Sequence, residues 1–103
     1  MTDRLATMRA MAEKQPRNPL ARFGYANELL KAGEHAAAAA ELEAYLGMHD
    51  DEGNGWLRYA DLLHGLGREA EARAAVARGT DAATRHGHGT LVAEFEERLE
   101  AWG

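Results

Sequence analysis

No cysteine occurs in the chain. Disulfides, cysteine-based zinc sites and thiol nucleophiles are therefore excluded. Only two prolines, Pro16 and Pro19, interrupt the 103 residues, so helices can run undisturbed through most of the length. No segment approaches the ~18 consecutive apolar residues of a membrane span. The opening Met1-Thr2-Asp3-Arg4-Leu5, with Met1 read as the initiator, lacks the unbroken apolar core of a signal peptide, and a cytoplasmic location is the expectation. A basic excess is missing too. The net charge is −5 and the pI is near 5.5, which argues against nucleic acid or an anionic membrane as partner, since neutralising phosphates takes a basic stripe. There is no His-Glu-x-x-His, no Gly-x-Ser-x-Gly and no phosphate-cradling glycine loop, so neither an enzyme nor a cofactor is expected.

Alanine is abundant, and 46% hydrophobic with 28% charged residues is ordinary for a globular chain. The length suits one domain with a modest core. The most informative feature is a repeat. Displaced by 34 residues, Tyr25 falls on Tyr59, Ala26 on Ala60, Leu29 on Leu63 and Gly33 on Gly67, while Ala36, Ala38 and Ala40 fall on Ala70, Ala72 and Ala74. A fixed period of this size, spread over two periodic segments with a glycine between them, is the signature of a helical-repeat array.

Apolar spacing and end signals predict six helices. The first covers 3–14, with Leu5, Met8, Met11 and Ala12 as its stripe. Pro16 ends it. Asn18 is a good N-cap and Pro19 suits a first helical position, which opens a helix over 19–32 stopped by Gly33. The third covers 35–46, carries five successive alanines and is expected to stop at Gly47. An acidic turn leads to a fourth over 53–66, closed by Gly67, and a fifth over 69–83, expected to run through Gly79, with a break there as the alternative. After His86-Gly87-His88-Gly89, with Thr90 as the expected cap, the last helix covers 91–102. Leu91, Val92, Phe95, Leu99 and Trp102 form its apolar face, and Glu94, Glu96, Glu97, Arg98 and Glu100 cover the rest. One apolar and one charged face are what a terminal cap of a stacked array requires.

The repeat resembles the tetratricopeptide repeat, a 34-residue helix–turn–helix read as W-x2-L-G-x2-Y, then A-x3-F, then P. One copy reads Trp56-x2-Tyr59-Ala60-x2-Leu63, Gly67, then Ala72-x3-Val76; the other reads Arg22-x2-Tyr25-Ala26-x2-Leu29, Gly33, then Ala38-x3-Leu42. Departures are Arg22 in place of an aromatic, Asp50 and Thr84 in place of the closing proline, and Gly79 where alanine is usual. The resemblance implies an all-α, short right-handed superhelix forming a single domain over 1–103. It would comprise a half repeat over 1–17, repeats over 18–51 and 52–86, and a capping helix over 87–103.

It also implies a non-enzymatic scaffold or adaptor whose concave side takes a peptide or helix of a partner protein. By position, that groove would present Phe23, Asn27, Leu30 and Lys31 from the second helix and Leu57, Arg58, Asp61 and His64 from the fourth, with Leu20 and Asn54 near the rim. Tyr25, Ala26, Leu29, Tyr59, Ala60 and Leu63 would point into the packing. A subclass of the family grips a C-terminal carboxylate with cationic side chains. Asn27 matches one asparagine of that clamp, but Phe23 stands where a lysine is needed and Asp61 would repel the ligand.

Phe23, Leu30 and Leu57, if exposed, would mark an interaction surface. The alternative is that the last helix or a second copy covers them, which makes a self-associating homodimer the second functional class. Arg58, Asp61 and His64 share a helix face, either as a recognition patch or as an ordinary surface with an Arg58–Asp61 pair. His86-x-His88 resembles a fragment of a metal site with the 49–52 carboxylates nearby, yet no ligand set of fixed spacing is present, so no metal is expected.

Overall fold

Local end signals set the helices. The computed structural model describes residues 3–103; Met1 and Thr2, the expected initiator among them, lie outside the described residues. The described residues form α1 (Arg4–Lys14), α2 (Pro19–Lys31), α3 (His35–Met48), α4 (Asn54–Gly65), α5 (Glu69–Arg85) and α6 (Gly89–Trp102), with no strand among them. The protein is all-α. The chain divides into two compact units, Met1–His49 and Asp50–Gly103.

In the first unit, α1 packs on α2 and α2 on α3. Asp3 caps α1 by accepting from the Ala6 N–H at 3.0 Å, and Asn18 caps α2 by accepting from the Leu20 N–H at 3.0 Å, with Pro19 behind it. Ala21, Ala26, Leu29, Ala38, Ala39, Leu42 and Tyr45 are buried. The small residues let the helix backbones approach closely. In the second unit, α4 packs on α5 and α5 on α6. Tyr59, Ala60, Leu63, Ala72, Ala75, Val76, Ala82, Ala83, Leu91 and Phe95 form its core.

One turn is used three times. Gly33, Gly67 and Gly87 have φ of 79°, 78° and 74°. In each, the residue after the glycine donates to a carbonyl five residues back: Glu34 to Leu29, Arg68 to Leu63 and His88 to Ala83, at 2.8 to 2.9 Å. This Schellman closure satisfies the last carbonyls of one helix and needs the left-handed conformation that glycine adopts without strain. The next helix starts two residues after each glycine, at His35, Glu69 and Gly89. Thr90 is therefore not the cap of α6. His88 holds that position without a side-chain bond, because the Gly87 turn sets the start.

Gly47 does not stop α3 either, and the helix runs on to Met48. Gly47 has no positive φ, and His49 ends the helix in extended backbone with φ −135° and ψ 135°. A helical glycine costs only about 1 kcal/mol relative to alanine, less than burial of Tyr45 in the same turn supplies. α5 does continue through Gly79 and reaches Arg85.

α4 starts on a carboxylate that the acidic composition of the turn does not single out. Asp51, buried, accepts from the N–H groups of Gly53 and Gly55, both at 2.8 Å and both in buried residues. Gly53 has φ +132°, and a Cβ there would lie 3.1 Å from Leu91 Cδ1 and 3.2 Å from Ala83 Cβ, so the turn is pressed onto α5 and α6. Asp51→Ala is expected to destabilise the second unit by about 1–2 kcal/mol, the cost of losing an N-terminal cap whose donors stay buried. Urea unfolding should show it as a lower midpoint at unchanged slope. An unchanged midpoint would mean that water replaces the carboxylate freely.

Candidate functional site

The outward-facing positions of α2 and α4 follow from the same register as the buried ones. Ala26, Leu29, Ala60 and Leu63 are essentially inaccessible. One step round each helix, Phe23, Asn27, Leu30, Leu57, Asp61 and His64 are half-buried, and Lys31 and Arg58 are exposed. Phe23, Leu30 and Leu57 are thus partly covered rather than fully exposed. The Phe23 ring lies 4.8 Å from that of buried Tyr45 in α3. The large apolar side chains that do stand out are Met11, Leu20, Met48 and Leu99, with Leu20 78% exposed. Asn54, at the α4 start, is exposed and donates to Glu52 at 3.1 Å.

Two sets of polar contacts frame the α2 face in the first unit. Glu28, 9% exposed, accepts from Arg4 at 3.2 Å and from Lys31 at 3.3 Å. Burial alone would raise its carboxyl pKa, but the hydrogen bonds from the two cations outweigh that and hold it below the ordinary value. Arg22 bridges to Glu41 at 2.8 Å. Tyr25, expected in the packing, is only half-buried, and its hydroxyl accepts from Arg9 at 3.0 Å.

The α4 face in the second unit carries contacts from α6. Arg98 donates to Asp61 at 2.8 Å, and the Trp102 indole stacks on the His64 ring, with centroids 4.4 Å apart and planes 12° from parallel. His64 Nδ1 also meets Glu69 Oε1. Arg98 is therefore not part of the solvent-facing charged surface of α6, as its charge suggests; it is half-buried and turned to α4. The signal was its spacing, since Arg98 and Trp102 are four residues apart and share a helix face.

At the far end of α5, Asp50 accepts from Arg85 at 3.3 Å and pairs with His86 at 3.2 Å. The hydrogen bond from Arg85, then that from His86, lowers the Asp50 pKa, so this clasp holds at neutral pH and is lost in acid. Among the described residues no group of three or more His, Asp or Glu is placed to hold a metal ion. A depression of 470 Å³ along α1 is lined by Thr7, Ala10, Met11, Glu13 and Lys14. Another, of 360 Å³ at the α5–α6 turn, includes Thr84 and His88, but the Thr84 hydroxyl donates to the Thr80 carbonyl at 2.8 Å. Neither shows the paired nucleophile and base of a catalytic site.

Helix pairs closed by the same glycine turn, in register at 34 residues, agree with a direct comparison: the family model for the tetratricopeptide repeat matches residues 29–94, more than half of the chain. The chain belongs to the tetratricopeptide repeat family. Repeats of this family generally mediate protein–protein interaction and typically serve as non-enzymatic scaffolds. No curated protein and no solved structure matched the chain. Among the described residues no helix of this tetratricopeptide repeat protein is long and apolar enough to cross a membrane.

Proposed function

We propose that the chain is a non-enzymatic adaptor that binds a peptide or helix of a partner protein on the outward face of the first helix of each repeat. On α2, in the first unit, the residues of this face are Phe23, Asn27, Leu30 and Lys31; on α4, in the second unit, they are Leu57, Arg58, Asp61 and His64. The observation that carries this reading is the split within one register. Positions 26, 29, 60 and 63 are buried, while positions 23, 27, 30, 57, 61 and 64, on the neighbouring strip, are only half-buried and mix apolar with polar groups. A partly apolar strip with polar neighbours suits a protein surface better than a small substrate.

The test is affinity capture from the source-cell lysate with intact protein and a folded Phe23→Ala, Asn27→Ala, Arg58→Glu variant. A partner held by the first and lost by the second is the expected result. The same set captured by both would sink the assignment of the face. Self-association as a homodimer is the second reading, favoured by Leu20 at 78% exposure and by Met48 in the same unit. A mass that rises with concentration in sedimentation would establish it.

A further inference from the structure

The two halves of α6 are held by different means. Leu91 and Phe95 in its first half are buried, Phe95 completely. Beyond Phe95 the apolar anchoring thins out: Leu99 is 38% exposed, and Glu96, Glu97, Glu100 and Ala101 are exposed. Polar and ring-stacking contacts hold this half instead. They are the Arg98 bond to Asp61 at 2.8 Å, the Trp102 stack on His64 at 4.4 Å and an Arg73 bond to the Gly103 carbonyl at 3.3 Å. Ion pairs at partly exposed side chains are individually weak and salt-sensitive, so this half can open while Leu91 and Phe95 stay in the core.

What α6 touches is also specific. Asp61 and His64 lie one turn apart on α4, and Arg98 and Trp102 lie one turn apart on α6. The order 98 to 102 follows the order 61 to 64, so the helices run in the same sense at this contact. The α4 face is thus shaped for an arginine and, one turn on, an aromatic ring, presented by a helix. Acidic and basic residues balance in Met1–His49, so the net charge of −5 falls in Asp50–Gly103. That excess favours the approach of a cationic segment.

We propose that the last turns of α6 are a removable latch over the α4 face, and that the segment displacing them is a partner helix carrying an arginine and an aromatic residue four positions apart. This rests on the adaptor reading above and names its ligand class in the second unit. A partner supplying the same two groups together with contacts of its own outcompetes a latch held by two side-chain contacts and one bond to the Gly103 carbonyl.

The probe is a fluorescein-labelled, alanine-based helical peptide with Arg and Trp four residues apart, read by anisotropy. The Arg98→Ala, Trp102→Ala protein, which keeps Phe95 in the core, is expected to bind it at least tenfold more tightly than the intact chain. Adding Asp61→Asn, or moving the peptide's Trp two positions, should abolish the gain. Equal binding by both proteins, or none by the double variant, overturns the latch.

Hydrogen exchange keeps the inference falsifiable without that variant. Amides of 98–102 should exchange at least tenfold faster in Asp61→Asn than in the intact protein, with those of 91–95 unchanged, and equal rates would overturn it. The adaptor reading is judged separately by capture. A partner captured equally by the intact and the latch-free protein leaves that reading standing and removes the latch.

Discussion

Phe95→Ala is expected to remove about 3–5 kcal/mol of stability, the cost of emptying a fully buried aromatic site. Phe95 is the largest of the completely buried side chains. It reaches from α6 to Gly79 in the middle of α5, where the backbone leaves room for its ring. Domains of this size hold only about 5–15 kcal/mol in total. The second unit should therefore melt at least about 10 °C lower, by the usual relation between free energy and melting temperature for short chains. Leu99→Ala, on the exposed half of the same helix, is the control and should cost under about 1 kcal/mol. If the two variants melt alike, α6 is not seated on Phe95.

The second large effect is a substitution whose sign reverses with place. Alanine for glycine inside a helix normally stabilises by about 1 kcal/mol. Gly47→Ala in α3 should do so, because a Cβ there meets nothing within 4 Å. Gly79→Ala in α5 should instead destabilise by about 1–3 kcal/mol, since overpacking forces neighbours off their preferred positions. A Cβ on Gly79 would lie 2.3 Å from Phe95 Cζ, 2.8 Å from Phe95 Cε1 and 2.7 Å from Trp56 Cβ. The Trp56 Cβ is tied to the α4 backbone and cannot turn aside. Phe95 can be shortened, so Gly79→Ala should cost less in a Phe95→Leu background, and a double-mutant cycle measures that coupling. Additive effects, or a gain in stability from Gly79→Ala alone, would show that the crossing is looser than these distances.

Glycine also explains where reading the chain succeeds and fails. Gly33 and Gly67 are legible as helix ends because each follows a long apolar-periodic run, and their φ of 79° and 78° is a property of the local chain. Gly47 follows such a run too, yet α3 continues through it. At that position the outcome depends on burial of Tyr45 beside it, which local composition does not encode. Among the site residues, the outward strip of α2 and α4 could be numbered from the repeat register alone. That Asp61 meets Arg98 and His64 meets Trp102 could not, because each pair joins residues 37 or 38 apart in the chain.

The local grammar of this protein is legible in its residues: six helices, the cap at Asn18, the glycine turns at Gly33 and Gly67, and the 34-residue register that marks a tetratricopeptide repeat. The helices, the cap and the turns depend on interactions within about five residues, and the register is a regularity of the residue order itself, so periodicity and end signals suffice to find them. Tertiary structure decided the rest. It explains the family's departure at Gly79 by the volume of Phe95, makes Asp51 a buried cap rather than part of a solvated acidic turn, and turns Arg98 from the solvent surface onto Asp61. The physical reason is common to all three. Close packing and charge pairing between helices depend on which side chains meet, and that is fixed only once the helices have docked.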